Sequence, residues 1–276
     1  MLIDCHVHVN NYDEDRERTT AEVAQELFEA MERSGVGHAV VLTSYKVTPH
    51  RPHVDDVIAL LGADPRISIV EGLRWRSDGE RTDLFRLEKR IRAREVTGIK
   101  LYPGYDGYAI NDPSLEAVFR IAAKHNVPVM VHTGDTYSKA AKVRYAHPLL
   151  LDDVAVDYPD VRFVMCHLGN PWFVDAAEVL YKNDNVFGDI SGLTLKEFST
   201  TFEKFTLEQV REMMQYMGDS GTQLLYGSDW PLVSMQSYVR FFRDLDLTNE
   251  QRERMAWRNA ADLFGIDVKP LDPATA

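Results

Sequence analysis

The stretch Leu2-Ile3-Asp4-Cys5-His6-Val7-His8-Val9, followed by Asn10-Asn11-Tyr12, decides the fold. It is short and nearly continuous in apolar residues, as a strand reads when both faces of its sheet are covered. That points to a parallel sheet. A doubly wound nucleotide-binding sheet would carry a glycine-rich loop directly after its first strand, and none is present. The polar residues inside the stretch are the second clue. Side chains alternate across a strand, so His6 and His8 share one face.

Working outward, seven more runs have the same character: His38–Thr43, Ile67–Leu73, Val96–Leu101, Val127–His132, Val161–His167, Val186–Ser191 and Gln223–Ser228. Their spacing is close to the ~30 residues of a βα unit. Helical patterns lie between them. Ala21–Arg33 sets Val23, Leu27 and Met31 on one stripe, and Thr19 with Glu22 is spaced as a capping box. Ser114–Lys124 carries Leu115, Val118, Phe119 and Ala122 and is entered through Asn111-Asp112-Pro113. Thr206–Tyr216 carries Leu207, Val210, Met213 and Met214. Thr248–Phe264 opens with a second Thr-x-x-Gln capping pattern and is closed by Gly265. Strands alternating with helices in this α/β chain predict a (β/α)8 TIM barrel, regular or distorted. One domain over residues 1–276 is expected, with Lys269–Ala276 as a frayed tail.

Composition narrows the function classes. Of 276 residues, 45% are hydrophobic, which excludes a disordered chain. Lys and Arg number 31 against 43 Asp and Glu, a net charge of −12, which argues against a nucleic-acid partner. Cys5 and Cys166 are too few for a disulfide framework. Each is one residue out of phase with a histidine, so both are expected to face the helix layer as small buried hydrophobes. No apolar run reaches the ~18 residues of a membrane span, and Met1-Leu2-Ile3-Asp4 does not read as a signal peptide. The expectation is a cytoplasmic protein with a small-molecule substrate, no nucleic acid and no membrane, and with room for a homo-oligomer.

The chemistry sits where polar residues interrupt the apolar runs. His6 and His8 close the first, Lys100 the fourth, His132 the fifth, His167 the sixth and Asp229 follows the eighth. These are the C-terminal strand ends, where barrel enzymes build their active sites. Any one of these histidines alone reads as an ordinary core or surface residue. Together, imidazoles and a carboxylate converging from strands 1, 5 and 8 make the three-to-four-ligand N/O set that Zn²⁺ accepts, and Mn²⁺ or Fe²⁺ suits it too.

At these residues the chain resembles the amidohydrolase superfamily. His132-Thr133-Gly134, HPLLLDDVAVDYPDVRFVMCHLG from His147 to Gly169, YGSDWP from Tyr226 to Pro231 and NAADLF from Asn259 to Phe264 are similar to its amidohydrolase-related group of metal-dependent TIM-barrel hydrolases. The resemblance implies His6, His8, His132 and Asp229 as metal ligands, one ion rather than two, and His167 as a neighbour polarising substrate or water. It implies Asp229 as general base. For Lys100 it leaves two roles open, a carboxylated lysine bridging two ions or a cation holding a substrate carboxylate. The group contains hydrolases, lactonases and aromatic-acid decarboxylases.

Around this centre, Asp4 reads either as the acceptor fixing a ligand histidine's tautomer or as a local backbone cap. Asp189 and Ser191 could face the mouth. Arg74, Trp75, Tyr102, Tyr105, Tyr108, Tyr137 and Trp172 follow strands on the active-site side, and Arg74, Tyr102 and Trp172 are taken as substrate-binding. With Lys100 they suggest a planar or ring-shaped acid. His50 and His53 lie on the same face, while His38 lies at the opposite end. The expected activity is metal-dependent hydrolysis of a small carboxylated lactone, ester or amide by zinc-activated water. The alternatives are a zinc-dependent non-oxidative decarboxylase of an aromatic or unsaturated acid, and a metal-free barrel acting as a binding protein.

Overall fold

The first stretch forms β1 (Ile3–Val7), buried along its whole length. β2 (His38–Leu42), β3 (Ile67–Gly72), β4 (Gly98–Leu101), β5 (Val129–His132), β6 (Phe163–Cys166), β7 (Val186–Asp189) and β8 (Leu224–Leu225) follow. The computed structural model describes residues 1–13, 15–75, 81–194, 200–218 and 223–268. Its strands form one eight-stranded sheet in sequence order, and successive strands pair in parallel. The last returns to the first: Cys5 N donates to Tyr226 O at 3.0 Å, Asp229 N to His6 O at 2.8 Å and His8 N to Trp230 O at 2.7 Å. The expected TIM barrel is the observed architecture.

Helices α1 (Thr20–Ser34), α2 (Val54–Leu61), α3 (Leu84–Arg92), α4 (Glu116–His125), α5 (Leu149–Asp157), α6 (Phe173–Lys182), α7 (Thr200–Tyr216) and α8 (Met235–Asp244) alternate with the strands, and α9 (Asn249–Glu253) and α10 (Asn259–Phe264) end the fold. Both capping boxes form, at Thr19 with Glu22 and at Thr248 with Gln251. Gly265 ends α10 in the left-handed region. Two helical expectations shift. Thr206 does not open its helix. It lies inside α7 with its hydroxyl donating to Glu203 O at 2.9 Å, the back-bonding a mid-helix threonine adopts. The run expected from Thr248 to Phe264 is broken by a π turn at Arg254–Arg258. The tail expected at Lys269–Ala276 lies outside the described residues. Among the described residues no helix is long and apolar enough to cross a membrane.

Strand alternation sorts the barrel's side chains into two apolar layers. Val41, Ile69, Ile99, Leu101, Val129 and Val131 pack outward on the helices. Val40, Leu42, Val70, Met130, Val164 and Leu225 fill the lumen, where α10 adds Ala260, Leu263 and Phe264. Cys5 and Cys166 belong to this inner layer, which corrects the expectation that they face the helices. For Cys5 the cause is a bulge. Asp4 pairs with Ala39 but Val7 with Val41, three residues against two. The extra residue turns Cys5 and His6 to the same side. Gly227 shows it, since a Cβ there would stand 3.0 Å from His6 Cβ and 3.3 Å from Cys5 Sγ. For Cys166 the cause is a turn. The strand ends at Cys166, and His167 takes φ +61°, so alternation no longer sets where its imidazole points.

Candidate metal centre

Above the apolar lumen the side chains become polar, and each imidazole is held by one nitrogen. His6 Nδ1 meets Asp189 Oδ2 at 2.9 Å. His8 Nδ1 meets Leu42 O at 2.8 Å, and His132 Nε2 meets Asp135 O at 2.9 Å. A carbonyl or carboxylate oxygen only accepts, so those nitrogens carry the protons and the opposite nitrogens present lone pairs. His6 Nε2 and His8 Nε2 then face Asp229 Oδ1 at 3.8 Å and 3.4 Å. Neutral imidazole nitrogens and a carboxylate oxygen pointing at one another are acceptors with nothing to accept. A cation between them resolves this.

The electrostatics agree. Burial pushes the His6 pKa down to about 4 against the pull of Asp189. His132 is pushed well below its ordinary value by burial, then by His167 and Lys100. Burial alone would raise the Asp229 carboxyl, but the His8, His6 and His167 imidazoles around it favour its ionised form and hold it below the usual carboxylate range. Neutral imidazoles and an ionised carboxylate are the protonation states a divalent metal requires. Donor atoms of His6, His8 and Asp229 lie within 4.8 Å of one another. His132 is outside that group, with its ring 5.1 Å from that of His167.

His6, His167 and Asp189 form a second close group, and its atoms are occupied by one another. Asp189 Oδ1 accepts from His167 N at 3.0 Å, Ser191 N at 3.1 Å and the Ser191 hydroxyl at 2.5 Å. Ser191 Oγ in turn lies 3.0 Å from His6 Nδ1 and 2.9 Å from His167 Nδ1. His167 Nδ1 also meets Ser191 O at 3.1 Å, which leaves Nε2 as its free nitrogen. Asp189 therefore does what had been weighed for Asp4, fixing the tautomer of His6. Asp4 instead caps backbone: its Oδ1 accepts from His6 N at 3.2 Å and, across the barrel closure, from Ser228 N at 2.9 Å. Lys100 is 1% exposed. Its Nζ lies 2.7 Å from Cys166 Sγ and 5.3 Å from the centroid of the Tyr102 ring.

At the rim, the Tyr105 ring stands 4.8 Å from that of His132, and its hydroxyl accepts from Tyr137 N at 2.9 Å. Burial and its neighbours push that phenol up to about 12. Tyr45 lies 5.0 Å from Tyr102 and 6.4 Å from Tyr105, ring to ring. Tyr12 sits 6.2 Å from the His8 ring. The Arg51 guanidinium lies 5.8 Å over the Tyr12 ring and beside the Tyr45 hydroxyl. Among the described residues no ion pair to Arg51 is formed. Arg74 lines a cavity of about 520 Å³ that shares Tyr45 and also reaches His53, Glu71 and Arg90.

The other expected wall residues are engaged elsewhere or turned to solvent. Tyr102 is 9% exposed and donates to Thr43 O at 2.7 Å. Trp75 and Tyr108 are buried, bonded to Ser114 Oγ and Tyr102 N. Tyr137 points to solvent. Trp172 packs on His147 at 4.7 Å, and His53 caps α2. The sequence reading missed Tyr12, Tyr45 and Arg51. Their signal was position: Tyr45 and Arg51 share the loop after β2 with His50 and His53, and Tyr12 follows His8 by one helical turn's length of chain.

Comparison with known proteins adds to the geometry. The family model described as Amidohydrolase matches residues 3–266. No curated protein matches the sequence. Among solved structures, an amidohydrolase from Burkholderia multivorans with bound zinc aligns at 14% identity, covering 97% of this chain and 100% of its own, with a TM-score of 0.72. The 5-carboxyvanillate decarboxylase from Sphingomonas paucimobilis aligns at 13% identity over 96% and 99%, TM-score 0.68. A probable 2-pyrone-4,6-dicarboxylic acid hydrolase from Acinetobacter baumannii with citric acid bound aligns at 15% identity over 96% and 99%, TM-score 0.68. At these identities the likeness is one of fold.

Proposed function

This chain belongs to the amidohydrolase family, and from that premise we propose that it is a metal-dependent hydrolase of a small, planar, carboxylated lactone, ester or amide. The observation that carries the reading is the convergence of His6 Nε2, His8 Nε2 and Asp229 Oδ1 with the opposite imidazole nitrogens already bonded. His6, His8 and Asp229 would hold one divalent ion, zinc first, and His132 would complete the set through Nδ1. Such an ion supplies a Lewis acid and lowers the pKa of water to about 7.

The chain's own groups then divide the work. Asp229, ionised and at the centre, takes the proton from the attacking water and returns it to the leaving group. His167, its Nδ1 held by Ser191, presents Nε2 to the same space and polarises substrate or water. Arg51 anchors the substrate carboxylate by a bidentate contact, while Tyr105 and Tyr45 cover the ring. Arg74 extends the anionic subsite from the adjoining cavity. Lys100 contributes positive charge from below.

Decarboxylation of an aromatic or unsaturated acid is the second reading. One observation favours it: Arg51 and the neighbouring Tyr45 and Tyr105 rings suit a ring acid, and they stand beside the candidate ligand set. The test is a panel of aromatic acids, pyrone carboxylates and small lactones, following acid or amine release against CO₂ release. Metal is removed by chelator and restored with Zn²⁺, Mn²⁺ or Fe²⁺. Turnover that survives full metal removal, or metal content below about 0.1 per chain in protein purified without chelator, refutes both readings. Metal content that low with no turnover on the panel leaves the metal-free binding barrel.

A further inference from the structure

Lys100 and Cys166 stand on β4 and β6, both facing the lumen beneath the candidate metal centre, and both are buried at 1% and 0% exposure. Their Nζ and Sγ atoms are 2.7 Å apart. A nitrogen–oxygen hydrogen bond runs near 2.9 Å, and sulfur's larger radius moves an N–H···S contact out to roughly 3.3 Å. The observed separation is well inside that, and it is much longer than a direct sulfur–nitrogen bond. It does match one bridging atom. An N–O bond of about 1.4 Å and an S–O bond of about 1.7 Å, meeting near the tetrahedral angle, leave nitrogen and sulfur roughly 2.5 Å apart.

The surroundings suit such a link. Besides Lys100, Cys166 meets the Asp189 carboxylate and Val164 O, the latter at 4.0 Å. Lys100 forms no ion pair among the described residues; besides the thiol it meets the Tyr102 face, and its charge acts on Asp189 from farther off. A buried ammonium with no carboxylate in direct contact is an expensive arrangement, and a bridge that lowers the basicity of the nitrogen removes it. Strands β4 and β6 are held in place by β5 between them, so the two atoms meet without rearrangement.

We propose that Lys100 and Cys166 are a covalent modification site, closing under peroxide into a reversible Nζ–O–Sγ bridge. The bridge is independent of which reaction the metal centre performs. The chemistry balances with two molecules of hydrogen peroxide. The first oxidises the Cys166 thiol to a sulfenic acid with loss of water. The second accepts the two hydrogens lost as the sulfenic oxygen bonds to Lys100 Nζ, and becomes two more waters. Sulfur and nitrogen together give up four electrons. Two molecules of a dithiol return them, restoring thiol and amine and releasing the bridging oxygen as water. Closing the bridge ties β4 to β6 and takes away the cation whose charge acts on His6, His132 and Asp189.

The test is intact and peptide mass spectrometry of the full chain, treated with hydrogen peroxide and then with dithiothreitol. The expected product is heavier by about 14 Da, one oxygen gained and two hydrogens lost, with the Lys100 and Cys166 peptides joined. Dithiothreitol should return the original mass. Lys100→Met and Cys166→Ser should each abolish the ~14 Da product while Cys5→Ser keeps it. The wild-type peptide map decides the matter by itself if a variant fails to fold. A gain of about 16 or 32 Da on Cys166 alone, a loss of about 2 Da from a Cys5–Cys166 disulfide or a direct sulfur–nitrogen bond, or an unmodified Cys166 overturns the proposal.

Discussion

Asp189→Asn is the sharpest probe of how the candidate metal centre is held. The native carboxylate accepts four hydrogen bonds: His6 Nδ1 on Oδ2, and His167 N, Ser191 N and Ser191 Oγ on Oδ1. An asparagine keeps its oxygen where three donors converge, which places its NH₂ against His6 Nδ1 at the native 2.9 Å. Two donors cannot share that line. Relief comes when His6 moves its proton to Nε2, and that removes the lone pair aimed at Asp229. Loss of an outer-shell partner of this kind costs 10–100-fold in metal affinity, about 1.4–2.7 kcal/mol. Losing the charged acceptor costs the metal-free protein about 1.5–3 kcal/mol as well. The assay is a competition titration of Zn²⁺ against a chromophoric chelator, with imidazole ¹⁵N shifts reporting the His6 tautomer. Expected is at least about tenfold weaker binding with His6 switched to Nε2–H. An affinity within about twofold of wild type, His6 still protonated on Nδ1, would refute the argument that Asp189 sets the ligand's tautomer.

Gly192→Ala should strike the same centre from the other side. Its φ is +66°, and a Cβ there would lie 2.9 Å from His167 Nδ1 and 3.2 Å from Asp229 Oδ2, so turnover should fall about 10²-fold or more while the fold survives, read by kcat beside circular dichroism. Arg51→Gln should raise KM for carboxylated substrates by about tenfold or more with metal affinity unchanged, and a variant that alters metal content instead would remove Arg51 from the substrate subsite. His38, at the far end of the barrel against Ser68 Oγ at 2.9 Å, is pushed down to about 4 by burial. The folded protein refuses a proton that the unfolded chain takes, so this stability is present above about pH 6.5 and is lost as pH falls towards 4, up to about 3 kcal/mol. His38→Asn should flatten that part of the urea-unfolding profile, and an unchanged profile would assign the acid sensitivity elsewhere.

What the sequence made legible follows from period. Eight apolar runs at even spacing carried the barrel, and their polar ends marked its C-terminal face, because burial on both sides and a strand's termination are local facts. His132 and Lys100 point inward as strict alternation requires. The errors lie where alternation stops. Cys5 faces the lumen because a bulge inserts one residue between Asp4 and Val7. Cys166 joins it because alternation runs only to the strand's end, and the backbone of His167 turns left-handed there. A period-2 reading has no term for either event. Asp189 and Asp4 show the other limit. Both are carboxylates on strands beside a ligand histidine, and composition cannot tell them apart. Their difference is a fact of three dimensions: β7 lies beside β8, which closes onto β1, and this brings Asp189 to the His6 ring across 183 residues, while Asp4 is spent on the backbone amides of His6 and, across the same closure, Ser228. The rim is harder still, since Arg51 and Tyr45 are loop residues whose only signal is which end of a strand they follow. Fold and candidate ligand set are thus encoded by pattern. Tautomer control and substrate grip are encoded by contacts that only closure of the barrel creates, and for that reason they are where substitutions will separate one family member's chemistry from another's.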